Sequence, residues 1–165
     1  MKASDVMTPH PACCSPDTNL VDVTQMFVEH DDGAIPVVDP TTSRPIGIVT
    51  DRDVATRAVA SGTDARQMTA GDCMTTSVVT VAPDASLDEV LDAMSENQVR
   101  RLIVVDDHCG VVGIISQADV ALHVKNKKSG DLVEQVSKPG QASTATPSRQ
   151  VCPATLPSRR SAVRR

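Results

Sequence analysis

The sequence contains almost no aromatic residues. Phe27 is the single phenylalanine, and the 165 residues include neither tryptophan nor tyrosine. Proteins that bind single-stranded nucleic acid stack successive bases on aromatic side chains. The composition therefore argues against such a platform, and equally against a carbohydrate cleft lined by aromatic rings.

Long hydrophobic runs are also missing. No stretch approaches the roughly 18 consecutive apolar residues that indicate a membrane-spanning helix, and residues 1–5 contain no apolar signal region. We therefore expect a cytoplasmic protein that makes no contact with a membrane.

Metal-binding and catalytic motifs are absent as well. None of the five cysteines shows CxxC spacing, and no two of the four histidines are four positions apart. The sequence also lacks a nucleophile with a matching base, and it has no glycine-rich loop that would cradle a phosphate. We expect neither a metal site nor an enzyme.

Charge is distributed unevenly along the chain. Residues 125–165 hold nine basic and two acidic residues, a net charge of +7, whereas residues 1–124 have a net charge of −12. We expect residues 125–136 to be a helical extension or linker. The Pro-, Ser- and Thr-rich residues 137–165 should form a disordered basic tail. We favour the interpretation that this tail is a solvated appendage, and the alternative is a weak, salt-sensitive attraction to nucleic acid or to acidic protein.

The most informative feature present is an internal repeat. Met74-Thr75 follows Met7-Thr8 by 67 positions, and Val37-Val38-Asp39 returns at the same offset as residues 104–106. Residues 47–53, with the sequence GIVTDRD, return at an offset of 66 as residues 113–119, with the sequence GIISQAD. One residue is lost between these blocks, in a turn where deletions are tolerated.

Each repeat is predicted to contain a strand, a helix, two strands and a final helix. The strands are expected at residues 34–39, 45–50, 101–106 and 111–116, and the final helices at about 51–60 and 117–124. Asp17 or Thr18 is the expected N-cap of the first long helix. The repeats would span residues 1–60 and 73–124, joined by a polar connector at 61–72. Four methionines are expected to serve packing: Met7, Met26, Met74 and Met94.

Together these paired motifs resemble a CBS-domain pair, or Bateman module, over roughly residues 4–124. Residues 50–54, 69–72 and 98–101 also resemble small stand-alone actinobacterial proteins of the hypoxic response protein 1 type. The resemblance implies an α/β (α+β) fold, with two tandem βαββα repeats packed pseudo-symmetrically. It further implies a homodimer and up to two clefts for a regulatory ligand such as AMP, ADP, ATP or S-adenosylmethionine, with no obligatory cofactor.

The residues contain groups suited to such a ligand. A carboxylate can accept hydrogen bonds from ribose hydroxyls, and a hydroxyl near a helix N-terminus can face phosphate. The resemblance assigns to cleft A the residues Thr50, Asp53, Thr75, Val78, Val99, Arg100 and Arg101. It assigns to cleft B the residues Thr8, Gly33, Ala34, Ser116 and Asp119.

The two clefts are not equivalent. Arg100 and Arg101 would form charge-assisted bonds to phosphate, so a polyphosphate should prefer cleft A. Cleft B should be empty or hold an uncharged nucleoside-like group. The Thr50/Asp53 and Ser116/Asp119 pairs are equally typical of helix N-capping, which is compatible with ligand contact. Arg100 and Arg101 are also compatible with a solvated strand edge or a dimer interface.

Two functions fit the sequence. The first is a regulatory module acting in trans, in which an adenosine nucleotide changes a dimer or partner surface through its different affinity for two states. The second is a ligand-free structural or partner-binding scaffold with a role in the stress response. The sequence does not name the partner.

Overall fold

The structure, a computed structural model, describes residues 1–123, so the predictions for residues 125–136 and 137–165 lie outside the described residues. Six α-helices and six strands make up the described part, with a π-helix at Val54–Val59 and a 3-10 turn at Ala65–Gln67. In chain order the elements are α1 (Ala3–Val6), β1 (Thr8–Pro9), α2 (Leu20–His30), β2 (Ala34–Val38), β3 (Pro45–Thr50), α3 (Asp51–Asp53), α4 (Ala70–Cys73), β4 (Thr80–Val81), α5 (Leu87–Asn97), β5 (Arg101–Val105), β6 (Val111–Ser116) and α6 (Gln117–His123).

The predicted α+β architecture with two repeats is confirmed. The elements of the second repeat follow those of the first in the same order, and α4 occupies the place of α1 at an offset of 67. The two long helices, α2 and α5, each end at a left-handed residue, Asp31 and Gln98 respectively. Because these positions are also 67 apart, the chain turns into the following strand in the same way in both repeats.

The predicted N-cap of α2 is wrong. Asn19 caps this helix, and its side chain accepts a hydrogen bond from the Val21 amide at 2.9 Å. The Thr18 hydroxyl instead accepts from the Ser15 amide, in the turn before the helix. The Asn19 amide group also donates to the carbonyl of Arg66, so this cap ties α2 to the segment between the repeats.

The final helix of the first repeat also differs from the expected α-helix. After the single turn of α3, the backbone continues as a π-helix over Val54–Val59. The Ala60 amide, for example, donates to the carbonyl of Ala55 five residues earlier. Such wide turns are rare and often occur at functional sites.

The repeats exchange the extended segments that follow α1 and α4. β1 of the first repeat pairs with β6 of the second, with Thr8 opposite Ile114 in a four-stranded sheet of order β1-β6-β5-β4. Reciprocally, Thr75 of the second repeat bridges Ile48 in β3, which pairs with β2. Each repeat therefore pairs an extended segment with a strand of the other.

The hydrophobic cores follow the same exchange. Ala3 and Val6 of α1 are buried in the core of the second repeat, together with Leu102 and Ile115. In the other core, the buried residues of α4 join those of the first repeat, including Leu20, Val23, Ile35, Val37 and Val49. Burying the apolar face of each short helix in the opposite repeat stabilises the pair as one unit.

Two methionines secure this exchange, which confirms the packing role expected of them. Met7 lies over Gly113, and Met74 lies over Gly47 at the equivalent place. A Cβ atom at either glycine would come within 2.9 Å of the methionine Cγ. The absence of a side chain at each glycine therefore leaves space for a methionine of the opposite repeat.

Candidate functional site

The predicted Thr50–Asp53 motif forms a capping box at the start of α3. The Asp53 Oδ2 atom accepts hydrogen bonds from the Thr50 amide at 3.0 Å and the Thr50 hydroxyl at 2.6 Å. The Asp53 amide donates to the Thr50 hydroxyl oxygen at 3.1 Å. The capping role is therefore confirmed, and it fixes the carboxylate in a half-buried position with its side chain 14% exposed.

The equivalent motif of the second repeat is built in the same way. Asp119 Oδ2 accepts from the Ser116 amide at 2.7 Å and from its hydroxyl at 2.6 Å. The neighbouring backbone hydrogen bonds are also equivalent in the two repeats. The Gln117 amide donates to the carbonyl of Arg100, and the Asp51 amide donates to the carbonyl of Gly33. In each repeat the final helix therefore begins beside the residues that lead into the middle strand.

All seven residues predicted for cleft A lie around one cavity of about 510 Å³. The cavity is bounded by the β3–α3 junction of the first repeat and by segments of the second repeat. Its lining residues are Ile48, Thr50, Asp51, Arg52, Asp53, Thr75, Ser77, Val78, Val79, Gln98, Val99, Arg100, Arg101 and Ile103. The predicted residues are thus brought together, while their contact with a ligand stays a prediction.

The exchanged strand pairing explains how this cavity forms. Thr75 and Ile48 exchange two backbone hydrogen bonds, of 2.8 and 3.0 Å, which bring the start of the second repeat alongside β3. Beyond the left-handed Gln98, the chain enters β5 at Arg101. The cavity therefore lies between the repeats and belongs to neither alone.

The cavity combines charged and apolar walls. Three arginines, Arg52, Arg100 and Arg101, line it with two aspartates, Asp51 and Asp53. The formal balance is one positive charge, in a chain whose net charge is −5. The remaining wall contains aliphatic side chains, among them Ile48, Val78, Val99 and Ile103. An anionic ligand with an apolar ring system would match this distribution.

The residues predicted for cleft B are arranged differently. Thr8 lies opposite Ile114, which is two positions before Ser116. Thr8 and Ser116 therefore belong to one region of the four-stranded sheet. Ala34 is only 3% exposed. A Cβ atom at Gly33 would lie 2.7 Å from Arg101 Nη2 and 3.4 Å from Asp51 Oδ2. Gly33 therefore makes room for a cleft A arginine, and ligand contact in cleft B stays a prediction.

Arg57 was missed by the sequence analysis. It contacts two predicted cleft A residues, because its Nη2 atom lies 3.4 Å from Asp53 Oδ1 and donates to Thr75 Oγ1 at 3.0 Å. The spacing from Asp53 to Arg57 is the i, i+4 spacing of helical ion pairs. This spacing was the available signal, but it did not reveal the contact with the second repeat.

Burial disfavours the thiolate forms of Cys14 and Cys73. Burial raises the pKa of the Cys14 thiol to about 11, with a smaller contribution from Cys13. Burial also raises the pKa of Cys73, which precedes the cavity segment. Within residues 1–123, no group of three or more His, Cys, Asp or Glu side chains is placed to hold a metal ion. No helix of that range has the length and apolar character to cross a bilayer.

Comparison with known proteins agrees with this architecture. The CBS domain model matches residues 3–60 and again residues 70–126. Hypoxic response protein 1 of Mycobacterium tuberculosis is 34% identical over 137 residues, which cover 83% of this chain and 94% of that protein. A crystal structure of that protein with two coordinated zinc ions superposes with a TM-score of 0.66, over 76% of this chain and all of that one.

Two further solved structures contain adenosine ligands. CBSX2 in complex with AMP is 25% identical, with a TM-score of 0.65 over 74% of this chain and 95% of that one. The CBS pair of MJ0100, in complex with 5-methylthioadenosine and S-adenosyl-L-methionine, is 26% identical, with a TM-score of 0.67 over 74% of this chain and 94% of that one. The chain thus belongs to the CBS-domain family, and its two CBS repeats form a Bateman module.

Proposed function

We propose that this protein is a regulatory module that binds an adenine nucleotide in cleft A and catalyses no reaction. The observation that carries the proposal is the convergence of a carboxylate, arginines and an aliphatic wall on one cavity between the repeats. Its volume falls within the roughly 300–1,000 Å³ typical of small-molecule sites. The adenosine ligands of CBSX2 and of the MJ0100 pair support the same ligand class.

In this proposal each part of the nucleotide meets a different wall. Asp53 Oδ1 accepts from the ribose hydroxyls, since an ionised carboxylate has about four acceptor positions and the capping box uses only Oδ2. Arg100 and Arg101 bind phosphate. The adenine ring packs against aliphatic side chains such as Ile48 and Val78. Cleft B is either empty or holds an uncharged nucleoside-like group.

The regulatory effect would follow from the position of the cavity between the repeats. A ligand that contacts both repeats favours the arrangement in which they lie close together over one in which they lie farther apart. The equilibrium shifts by the difference between the binding free energies of the ligand for the two arrangements. We propose that the protein is a cytoplasmic homodimer, and that this change alters a dimer or partner surface in trans. The name of its mycobacterial relative supports a role in the stress response.

Asp53→Asn is expected to weaken AMP binding by about tenfold or more, because hydrogen bonds to a charged acceptor contribute about 1.5–3 kcal/mol. Asparagine keeps the size of the side chain and one oxygen for the capping box. Isothermal titration calorimetry with AMP, ADP, ATP and S-adenosylmethionine gives affinity and stoichiometry directly. It is also suited to a chain without tryptophan or tyrosine.

Asp119→Asn is the matched control, since Asp119 forms the equivalent capping box in the second repeat. It should leave the affinity of cleft A unchanged. Equal losses in the two variants would show that the effect comes from capping rather than from ribose contact. No heat with any of the four ligands, from a folded wild-type protein, would favour the ligand-free scaffold.

A further inference from the structure

Arg57 makes four contacts beside cleft A, and three of them reach the second repeat. Its Nη1 atom donates to the backbone carbonyls of Cys73 at 2.8 Å and Met74 at 2.7 Å. Its Nη2 atom donates to the Thr75 hydroxyl at 3.0 Å and lies 3.4 Å from Asp53 Oδ1. One guanidinium group from the π-helix of the first repeat thus holds the start of the second.

These contacts complete the fixation of the Asp53 carboxylate. Thr50 holds Oδ2 through the capping box, and Arg57 attracts Oδ1, so both oxygens are oriented by neighbours. Arg57 at the same time sets the position of Thr75, on the adjoining wall of the cavity. The guanidinium suits this task because its donors form a rigid planar fork.

The second repeat lacks this arrangement. His123 stands at the position equivalent to Arg57, at an offset of 66. Its Nδ1 atom lies 2.7 Å from the carbonyl of Asp119 in its own helix. Among the described residues, the Asp119 carboxylate has no ion pair corresponding to that between Asp53 and Arg57. We call the contacts of Arg57 with Asp53 and with residues 73–75 the clamp. In the part of the chain that the structure describes, it occurs only beside cleft A.

We propose that Arg57 is a positioning residue for nucleotide binding, which holds the Asp53 carboxylate and the Thr75 hydroxyl in the relative arrangement that a ribose requires. The inference rests on the proposed function of cleft A. It adds that the preference for cleft A comes from this clamp as well as from the phosphate-facing arginines. Arg57 itself touches no part of the nucleotide.

The test compares AMP with 2′,3′-dideoxyadenosine 5′-monophosphate, which lacks both ribose hydroxyls. Calorimetry on the wild-type protein should show about a tenfold or larger preference for AMP, because the hydroxyls donate to a charged acceptor. In Arg57→Ala this preference should fall to the value measured for Asp53→Asn. Arg57→Lys keeps the charge but not the fork, so it should fail to restore the preference. His123→Ala is the matched control and should behave as wild type.

Other outcomes would overturn the inference in identifiable ways. If Arg57 only stabilises the fold, its replacement weakens both ligands equally and leaves the preference intact. If only its charge matters, Arg57→Lys restores wild-type binding. If the Arg57 variants bind both ligands as the wild-type protein does, with the same preference for AMP, the clamp is refuted but the proposed function is not. If the wild-type protein binds neither ligand, the proposed function is refuted as well. Should Arg57→Ala fail to fold, Arg57→Lys carries the comparison.

Discussion

Replacing Arg100 and Arg101 together by alanine is expected to weaken ATP binding by about a hundredfold or more. Each arginine can form charge-assisted bonds to phosphate, and such bonds contribute about 1.5–3 kcal/mol each, where 1.4 kcal/mol is a factor of ten. AMP has fewer phosphate oxygens and should lose less. Calorimetric titration of both nucleotides against the double variant measures the two losses.

The matched control is the Arg44→Ala/Arg66→Ala double variant. It removes the same charge, but neither arginine lines the cavity, and Arg66 pairs with Asp64 in the segment between the repeats. It should retain wild-type affinity at physiological salt, at which charges farther apart than about 8 Å are screened. Similar losses in the two double variants would assign the effect to general charge and contradict phosphate contact at Arg100 and Arg101.

Gly113→Ala is expected to destabilise the folded protein by about 1–3 kcal/mol, the usual cost of inserting atoms into a packed region. The added Cβ atom would overlap Met7 Sδ and lie only 2.9 Å from Met7 Cγ. Met7 must then shift, which disturbs the seating of the first segment on the opposite repeat. Urea unfolding followed by circular dichroism measures the free energy of unfolding.

Gly110→Ala provides the control for this substitution, since its Cβ atom would meet Asp106 at ordinary contact distances of 3.4 Å and above. It should change stability by well under 1 kcal/mol, as surface substitutions usually do. Shortening Met7 to alanine should relieve the overlap, so the Met7→Ala/Gly113→Ala variant should be more stable than the sum of the single effects predicts. Strict additivity would contradict the contact.

The repeat made much of the fold predictable from the sequence. Motifs at a constant offset occupy equivalent places, so the strands and the long helices of one repeat could be placed from those of the other. The grouping of Thr50 and Asp53 with Arg100 and Arg101 in the predicted cleft A came instead from the resemblance to CBS-domain pairs.

The features that were missed depend on individual contacts. Asn19 caps α2 because Thr18 is engaged in a turn with Ser15, and sequence patterns do not rank such competing hydrogen bonds. The role of Arg57 depends on a π-helix and on carbonyls sixteen and seventeen positions away. The approach of Arg101 Nη2 to within 2.7 Å of the place where a Gly33 Cβ atom would lie is a contact of the same kind. These contacts depend on the length and direction of individual side chains, which the spacing of residues along the sequence does not reveal.

The most direct test of the central claim is to map the backbone amide chemical shifts of the ¹⁵N-labelled protein during titration with AMP. If cleft A is the nucleotide site, the largest changes will lie at residues 50–53, 75–79 and 98–101, with saturation at one nucleotide per chain. Changes centred on Thr8 and Asp119 instead, or no change at millimolar AMP, would contradict nucleotide binding in cleft A.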